Sequence, residues 1–248
     1  MGQTMKSFRL SITAALTATL LSAAAGSALA FDDLYVRGEV GGTWQNSDSA
    51  SWTTPGGTFQ DMKLDTSGSA SVGVAVGSYF VPNIRGDLSY TFLGRFDLDS
   101  CKLTAGNSDC GTSRNTGSLN SHLFMANLFV EAPQPFMVGS ATVTPFVTAG
   151  LGAAVHDFGT WYHEPSNRYF QGETSTDFAW TAGAGASVDV SKAVNRPAFV
   201  DITWRYTDAG TAKGSTEPVA GGSSATEAYN VDLRSHSIFV GLRVPLGK

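Results

Sequence analysis

Basic runs, helical periodicity and cysteine are all scarce in this chain, and each scarcity removes a class of protein. No run of Lys or Arg occurs, so the footprint of a nucleic-acid binder is missing. No amphipathic helical pattern lasts for three turns. An uncharged stretch long enough to span a membrane as a helix, residues 132–155, is broken by Pro133, Pro135, Gly139, Pro145, Gly150 and Gly152. Turn followed by strand is the better reading, because proline and glycine interrupt a helix there. The only cysteines are Cys101 and Cys110.

A secretory signal opens the sequence. Lys6 and Arg9 precede a mostly apolar stretch at 10–25, which runs into Ala28-Leu29-Ala30. A basic start, a short apolar core and an A-x-A end are the parts of an export signal, and the core is too short for a spanning helix. Cleavage is expected after Ala30. The mature chain at 31–248 then forms one domain, and losing Lys6 and Arg9 takes the formal charge from −5 to −7.

Eight segments of the mature chain alternate apolar side chains with small or charged ones. The pattern predicts strands near 33–45, 68–80, 84–96, 121–132, 141–156, 176–190, 198–208 and 236–246. In the third, Ile84, Leu88, Tyr90, Phe92 and Phe96 oppose Arg85, Asp87, Ser89, Thr91 and Arg95. In the seventh, Val200, Ile202, Trp204 and Tyr206 oppose Asp201, Thr203, Arg205 and Thr207. Phe129 and Phe146 break the rule by falling on the polar side, and the second segment has the least defined register. Connections alternate between short, proline-bearing turns and long loops near 46–67, 97–120, 157–175 and 209–235. Outer-membrane barrels have that alternation, with short periplasmic turns and long external loops. The expected fold is all-β: an eight-stranded antiparallel transmembrane up-and-down β-barrel with four long external loops.

A soluble eight-stranded barrel shows the same alternation with its apolar face inward. Two features favour the membrane. The polar faces carry no lysine, and Trp44, Phe92, Phe96, Phe178, Trp180, Trp204 and Tyr206 lie near strand ends on the apolar face, where interfacial girdles belong. The polar faces also hold Arg37, Arg85, Arg95, Arg205 and Arg243 against Glu39, Asp87, Glu131, Asp189 and Asp201. An arginine facing lipid at the midplane costs about 2–4 kcal/mol, so these groups are expected in the lumen. There they form a salt-bridge plug or line a charged pore, and the narrow interior of eight strands favours the plug.

Candidate sites are few. An exported chain meets an oxidising compartment, which predicts a Cys101–Cys110 disulfide; a two-thiol metal site lacks a histidine nearby in sequence. Of the four histidines, His122 is adjacent to Ser121, and His236 is flanked by Ser235 and Ser237. Neighbouring strand residues point to opposite faces, so neither arrangement makes a nucleophile–base pair. His163 lies in a loop with Trp161, Tyr162, Glu164, Tyr169 and Phe170, where a metal or haem contact competes with a plain exposed histidine. The loops are rich in Gly, Ser and Thr and mildly acidic, as solvated, mobile loops are. Trp52, Trp161, Tyr162 and Tyr229 would be exposed in them. No catalytic residue, metal or cofactor is expected, and the partners are outer-membrane lipid and lipopolysaccharide, with an extracellular ligand or host surface available to the loops.

The second half resembles a known family. Thr144-Pro145-Phe146-Val147-Thr148-Ala149-Gly150-Leu151-Gly152 is similar to a strand of small opacity-type, porin-like outer-membrane surface proteins common in alphaproteobacteria. Asp177-Phe178-Ala179-Trp180-Thr181-Ala182-Gly183-Ala184-Gly185 resembles the next. Asp201-Ile202-Thr203-Trp204-Arg205-Tyr206-Thr207-Asp208-Ala209-Gly210 and Val240-Gly241-Leu242-Arg243 resemble the last two. The motifs are confined mainly to 144–246, and the chain ends Val244-Pro245-Leu246-Gly247-Lys248 where the family has a terminal aromatic. The resemblance implies an integral outer-membrane surface protein, of a family linked to envelope integrity, adhesion, haem binding or small-solute passage.

Overall fold

In the computed structural model the alternating segments close on themselves. The structure describes residues 34–46, 49–54, 56–103, 110–220, 224–225 and 228–246. The expected signal and its cleavage point lie outside these residues. Eight long strands are β1 (Leu34–Gln45), β4 (Ser69–Val81), β5 (Ile84–Leu103), β6 (Cys110–Glu131), β8 (Ala141–Phe158), β11 (Glu173–Asp189), β12 (Phe199–Lys213) and β13 (Asn230–Pro245). Each pairs antiparallel with the next, and β13 returns to β1 with Val240 opposite Val40. The result is a ring with no free edge, which satisfies every strand's backbone groups.

Side-chain parity follows the alternation. Along β4, Ser71 and Ala75 point inward while Val72, Val74 and Val76 are about half exposed on the outer wall, which fixes the register of this segment. Phe129 and Phe146 do face the interior, where their rings meet edge to face at 5.7 Å. The short turns are tight: Asn83 takes φ of 70° after Pro82 and donates from its side-chain amide to the carbonyl of Ala132, just past the end of β6. A four-residue helix, Ser191–Val194, ends at left-handed Asn195 before β12.

Five shorter strands were not anticipated. β7 (Phe136–Val138) forms a hairpin with β8 at the turn end. The other four, β2 (Ser49–Thr53), β3 (Phe59–Thr66), β9 (Trp161–His163) and β10 (Arg168–Phe170), extend the wall at the loop end. The β2–β3 hairpin stands between β13 and β5 and continues the wall above the ends of β1 and β4. β9 pairs with β6 beyond the last β6–β8 pair. The connections from β1 to β4 and from β8 to β11 are therefore built largely of sheet and not of open coil.

Two bulges redirect the long strands toward the loop end. Between Leu93 and Phe96, β5 has one residue more than β6, which reverses the parity of everything beyond. Phe96 thereby turns inward, fully buried, instead of joining the outer girdle, and Arg95 turns outward. The second bulge, between Asp208 and Thr211, centres on Gly210 at φ of 74°. A side chain there would meet the Asp177 carboxylate, which accepts from the Thr211 amide at 3.0 Å.

Candidate functional site in the lumen

At the turn end, inward-facing residues from all eight long strands interlock. Arg37 pairs with Glu39 on its own strand and with Asp87 at 2.8 Å. Glu39 also takes Arg205 at 3.1 Å. Arg85 reaches Glu131 at 2.8 Å and Asp201 at 3.4 Å, and Arg243 reaches Asp201 at 3.1 Å. β4 contributes Tyr79, whose hydroxyl donates to Glu131 at 3.0 Å and accepts from Arg243 at 2.9 Å. β11 contributes Ser187, which donates to Asp201 at 2.5 Å. Phe146 of β8 and Phe129 of β6 cover the Arg85 guanidinium, 3.9 Å above the Phe129 ring. Four cations and four anions are thus matched and almost fully buried. Such groups tolerate burial only when paired and hydrogen-bonded, as these are.

Two of the ten expected members are elsewhere. Arg95 is displaced by the bulge and pairs with Asp97 on the outer wall, where both side chains are 68% exposed. Asp189 ends β11 at the turn, exposed, and accepts from the Ser191 amide at 2.8 Å instead of entering the lumen. Periodicity alone misses both, because a bulge and a strand end each break the two-residue repeat.

Above the ion network lies a belt of hydroxyls. Thr43 bridges Ser71 and Ser237 at 2.8 Å each, joining β4, β1 and β13. Above this belt the interior becomes apolar. Leu93, Phe96, Leu98, Leu119, Leu123, Phe158, Val231 and Leu233 from the long strands pack with Trp52, Met62, Leu64, Trp161, Phe170 and Tyr229 from the connections. Trp161 stacks on Phe170 at 4.2 Å, meets Trp52 edge-on at 5.3 Å and donates its indole N–H to the Ser215 carbonyl at 3.1 Å. Trp52, Trp161 and Tyr229 are thus core residues, contrary to the expectation that they are exposed. Hydrophobic burial outweighs loop solvation because the extra strands supply a closed wall to pack against.

The histidines divide between the two sides of the wall. His122 and His236 face outward among aromatics: His122 bonds the Tyr90 hydroxyl at 2.8 Å, and His236 stacks near Trp44 and Trp204. His156 faces inward, with Nδ1 2.9 Å from Ser121 Oγ and Nε2 2.8 Å from the Ala209 carbonyl. This cross-strand Ser–His pair was not visible from sequence neighbours. Both residues are fully buried in the apolar layer, so the pair ties β6, β8 and β12 together with no surface open to a substrate. His163 is 7% exposed, against Trp52 and 2.7 Å from Asn115 Oδ1; burial, aided by Arg168 across the strand pair, holds its imidazole below the ordinary range and hence neutral. Among the described residues no cluster of three or more His, Cys, Asp or Glu side chains is placed to hold a metal ion.

No curated protein sequence matches the chain significantly. A family model described as the outer membrane protein beta-barrel domain matches residues 13–243. Among solved structures, the outer membrane protein OprG from Pseudomonas aeruginosa is 14% identical, with a TM-score of 0.53 over 87% of this chain and 96% of that one. Neisserial surface protein A is 16% identical, with a TM-score of 0.44 over 85% of this chain and 96% of that one. At 14% identity the likeness to OprG concerns fold alone. The family match covers most of the chain, and with it the ring of strands and the apolar outer wall agree: the protein belongs to the outer membrane protein β-barrel family and resides in the outer membrane.

Proposed function

We propose that the protein is a non-enzymatic, eight-stranded barrel of the opacity type, with a closed lumen and a role in envelope stability or surface interaction. The supporting observation is double filling: an ion network fed by every long strand, covered at the loop end by an apolar core. The short turns face the periplasm and the long connections face outward. This orientation puts the bulky loop-end sheet outside the cell, as in other barrels of this kind. Surrounding lipid and lipopolysaccharide are the constant partners, and an extracellular ligand would meet the outward sheet. Residues 1–30 serve as the export signal.

Conductance distinguishes this reading from a narrow channel. The refolded protein in a planar bilayer is expected to give no stable current steps at neutral pH. Reproducible, salt-dependent steps would replace the closed barrel with the channel reading.

We also propose the Cys101–Cys110 disulfide. Cys101 is buried, and Cys110 lies opposite Leu103 in the β5–β6 register; the Cys110 side chain lies outside the described residues. Closing so short a loop stabilises the tip by about 2.5–3 kcal/mol on the chain-entropy model. Maleimide labelling of the exported, denatured protein is expected to find no free thiol, and two labelled cysteines would refute the bridge.

A further inference from the structure

The loop-end sheet carries a second concavity on its outer wall, separate from the lumen, with a volume of about 630 Å³. Its floor is a row of outward-facing residues, one from each of five neighbouring strands. Asp65 of β3 lies opposite Asp99 of β5, Asp99 opposite Thr116 of β6, Thr116 opposite Tyr162 of β9, and Tyr162 opposite Tyr169 of β10. The two tyrosine rings lie 4.7 Å apart at 37° and form a continuous aromatic surface. Tyr162 is held in place by its hydroxyl, which donates to Asn167 at 3.0 Å, while Tyr169 is 55% exposed.

The chemistry of this row narrows the ligand. An apolar molecule would have to desolvate three carboxylates. A simple cation finds two of them already engaged, Asp99 with Arg114 at 2.5 Å and Asp97 with Arg95 at 2.8 Å. What remains is an aromatic platform beside alternating acceptors, donors and hydroxyls with little net charge. That set suits a sugar ring, whose C–H face lies on the tyrosines while its hydroxyls donate to carboxylates and accept from guanidiniums. Position selects the source. Arg95 is three residues beyond the outward-facing aromatic Phe92 on the same strand, so the groove opens sideways just above the lipid-facing band. In the outer leaflet that level is occupied by lipopolysaccharide core sugars.

We propose that this groove binds a neutral sugar ring of the lipopolysaccharide core around the barrel. The inference rests on the outward orientation of the loop end. The test uses the full mature protein in phosphatidylcholine nanodiscs free of lipopolysaccharide. The probe is core oligosaccharide released from purified lipopolysaccharide by mild acid. Saturable NMR shifts centred on Thr116, Tyr162 and Tyr169 are expected. The Tyr162→Ala/Tyr169→Ala variant is expected to bind about ten-fold more weakly while keeping the heat-modifiable electrophoretic mobility of a folded barrel. Should the double variant lose that mobility, Tyr169→Ala alone, which removes only a half-exposed ring, serves as the binding comparison. Absence of saturable shifts, or undiminished binding in the folded variant, overturns the site. Equal binding of a eukaryotic N-glycan overturns the assignment to core sugar, and binding of spermidine in place of the oligosaccharide overturns the sugar itself. An epitope inserted after Gly57 and probed on intact cells reads orientation separately, so an inaccessible tag counts against the orientation and not the groove chemistry.

Discussion

Replacing Asp201 with leucine is expected to cost about 3–5 kcal/mol of stability, the usual penalty for leaving a buried charge without its partner. Asp201 is the group on which the lumen network converges. It accepts from Arg85, Arg243 and Ser187, and it is 2% exposed. Without it, two arginines that are 0–1% exposed face one another across the interior, with Glu131 as the one carboxylate left to both. Asp201→Asn keeps the shape and part of the hydrogen bonding, so it is expected to cost less and separates charge from packing. The companion change Arg243→Met removes the surplus cation, so the Asp201→Leu/Arg243→Met double variant is expected to recover much of the loss. Urea unfolding of the barrel in lipid vesicles measures all four states of the cycle. A single Asp201→Leu variant within about 1 kcal/mol of the parent would mean that water reaches this layer freely, contrary to a sealed lumen.

The strand centres were legible because lipid imposes a two-residue repeat with a large penalty for error. Leu88, Ile202 and Trp204 must face outward, and Arg37, Arg85 and Arg243 cannot. The strand ends were less legible, since the repeat does not stop where the membrane does: it continues with its polarity inverted. On β13, His236, Ile238, Val240 and Leu242 face out below the rim, with Ser237 and Arg243 facing in. Above the rim Val231 and Leu233 face in, while Asp232 and Arg234 face out. On β3, Met62 and Leu64 face in against outward Asp61, Lys63 and Asp65. Read with one polarity throughout, such segments look like polar loops. Read for the inversion, they are strands of a water-exposed sheet closed around an apolar core. The bulge at Leu93–Phe96 hid the change on β5, which is why Phe96 and Arg95 were placed on the wrong faces. The Ser121–His156 pair was hidden for a different reason. It joins residues 35 apart in sequence, and nothing local specifies the register that brings them together.

That inversion makes the loop-end core a structural layer distinct from the ion network below it, and Trp161→Ala tests the distinction. Trp161 is fully buried and touches Phe170, Trp52 and Tyr229, which belong to three different connections. Removing the indole leaves a cavity and strips the Ser215 carbonyl of its donor, at an expected cost of about 3–5 kcal/mol. The ring of eight strands and its ion network do not depend on this side chain, so the loss is expected to fall on local opening of the outer layer and not on the barrel as a whole. Hydrogen exchange is expected to rise at β2, β3, β9 and β10 while the amides of β1 and β12 near Arg37 and Asp201 stay protected. External protease is expected to cut the connections of the variant and leave a folded barrel core. Conductance is expected to stay absent, since the lower layer still fills the lumen. If the variant conducts, the apolar layer alone is the barrier and the ion network is a wetted lining. If exchange rises equally in every strand, the two layers fold as one unit and the inversion marks only where the membrane ends.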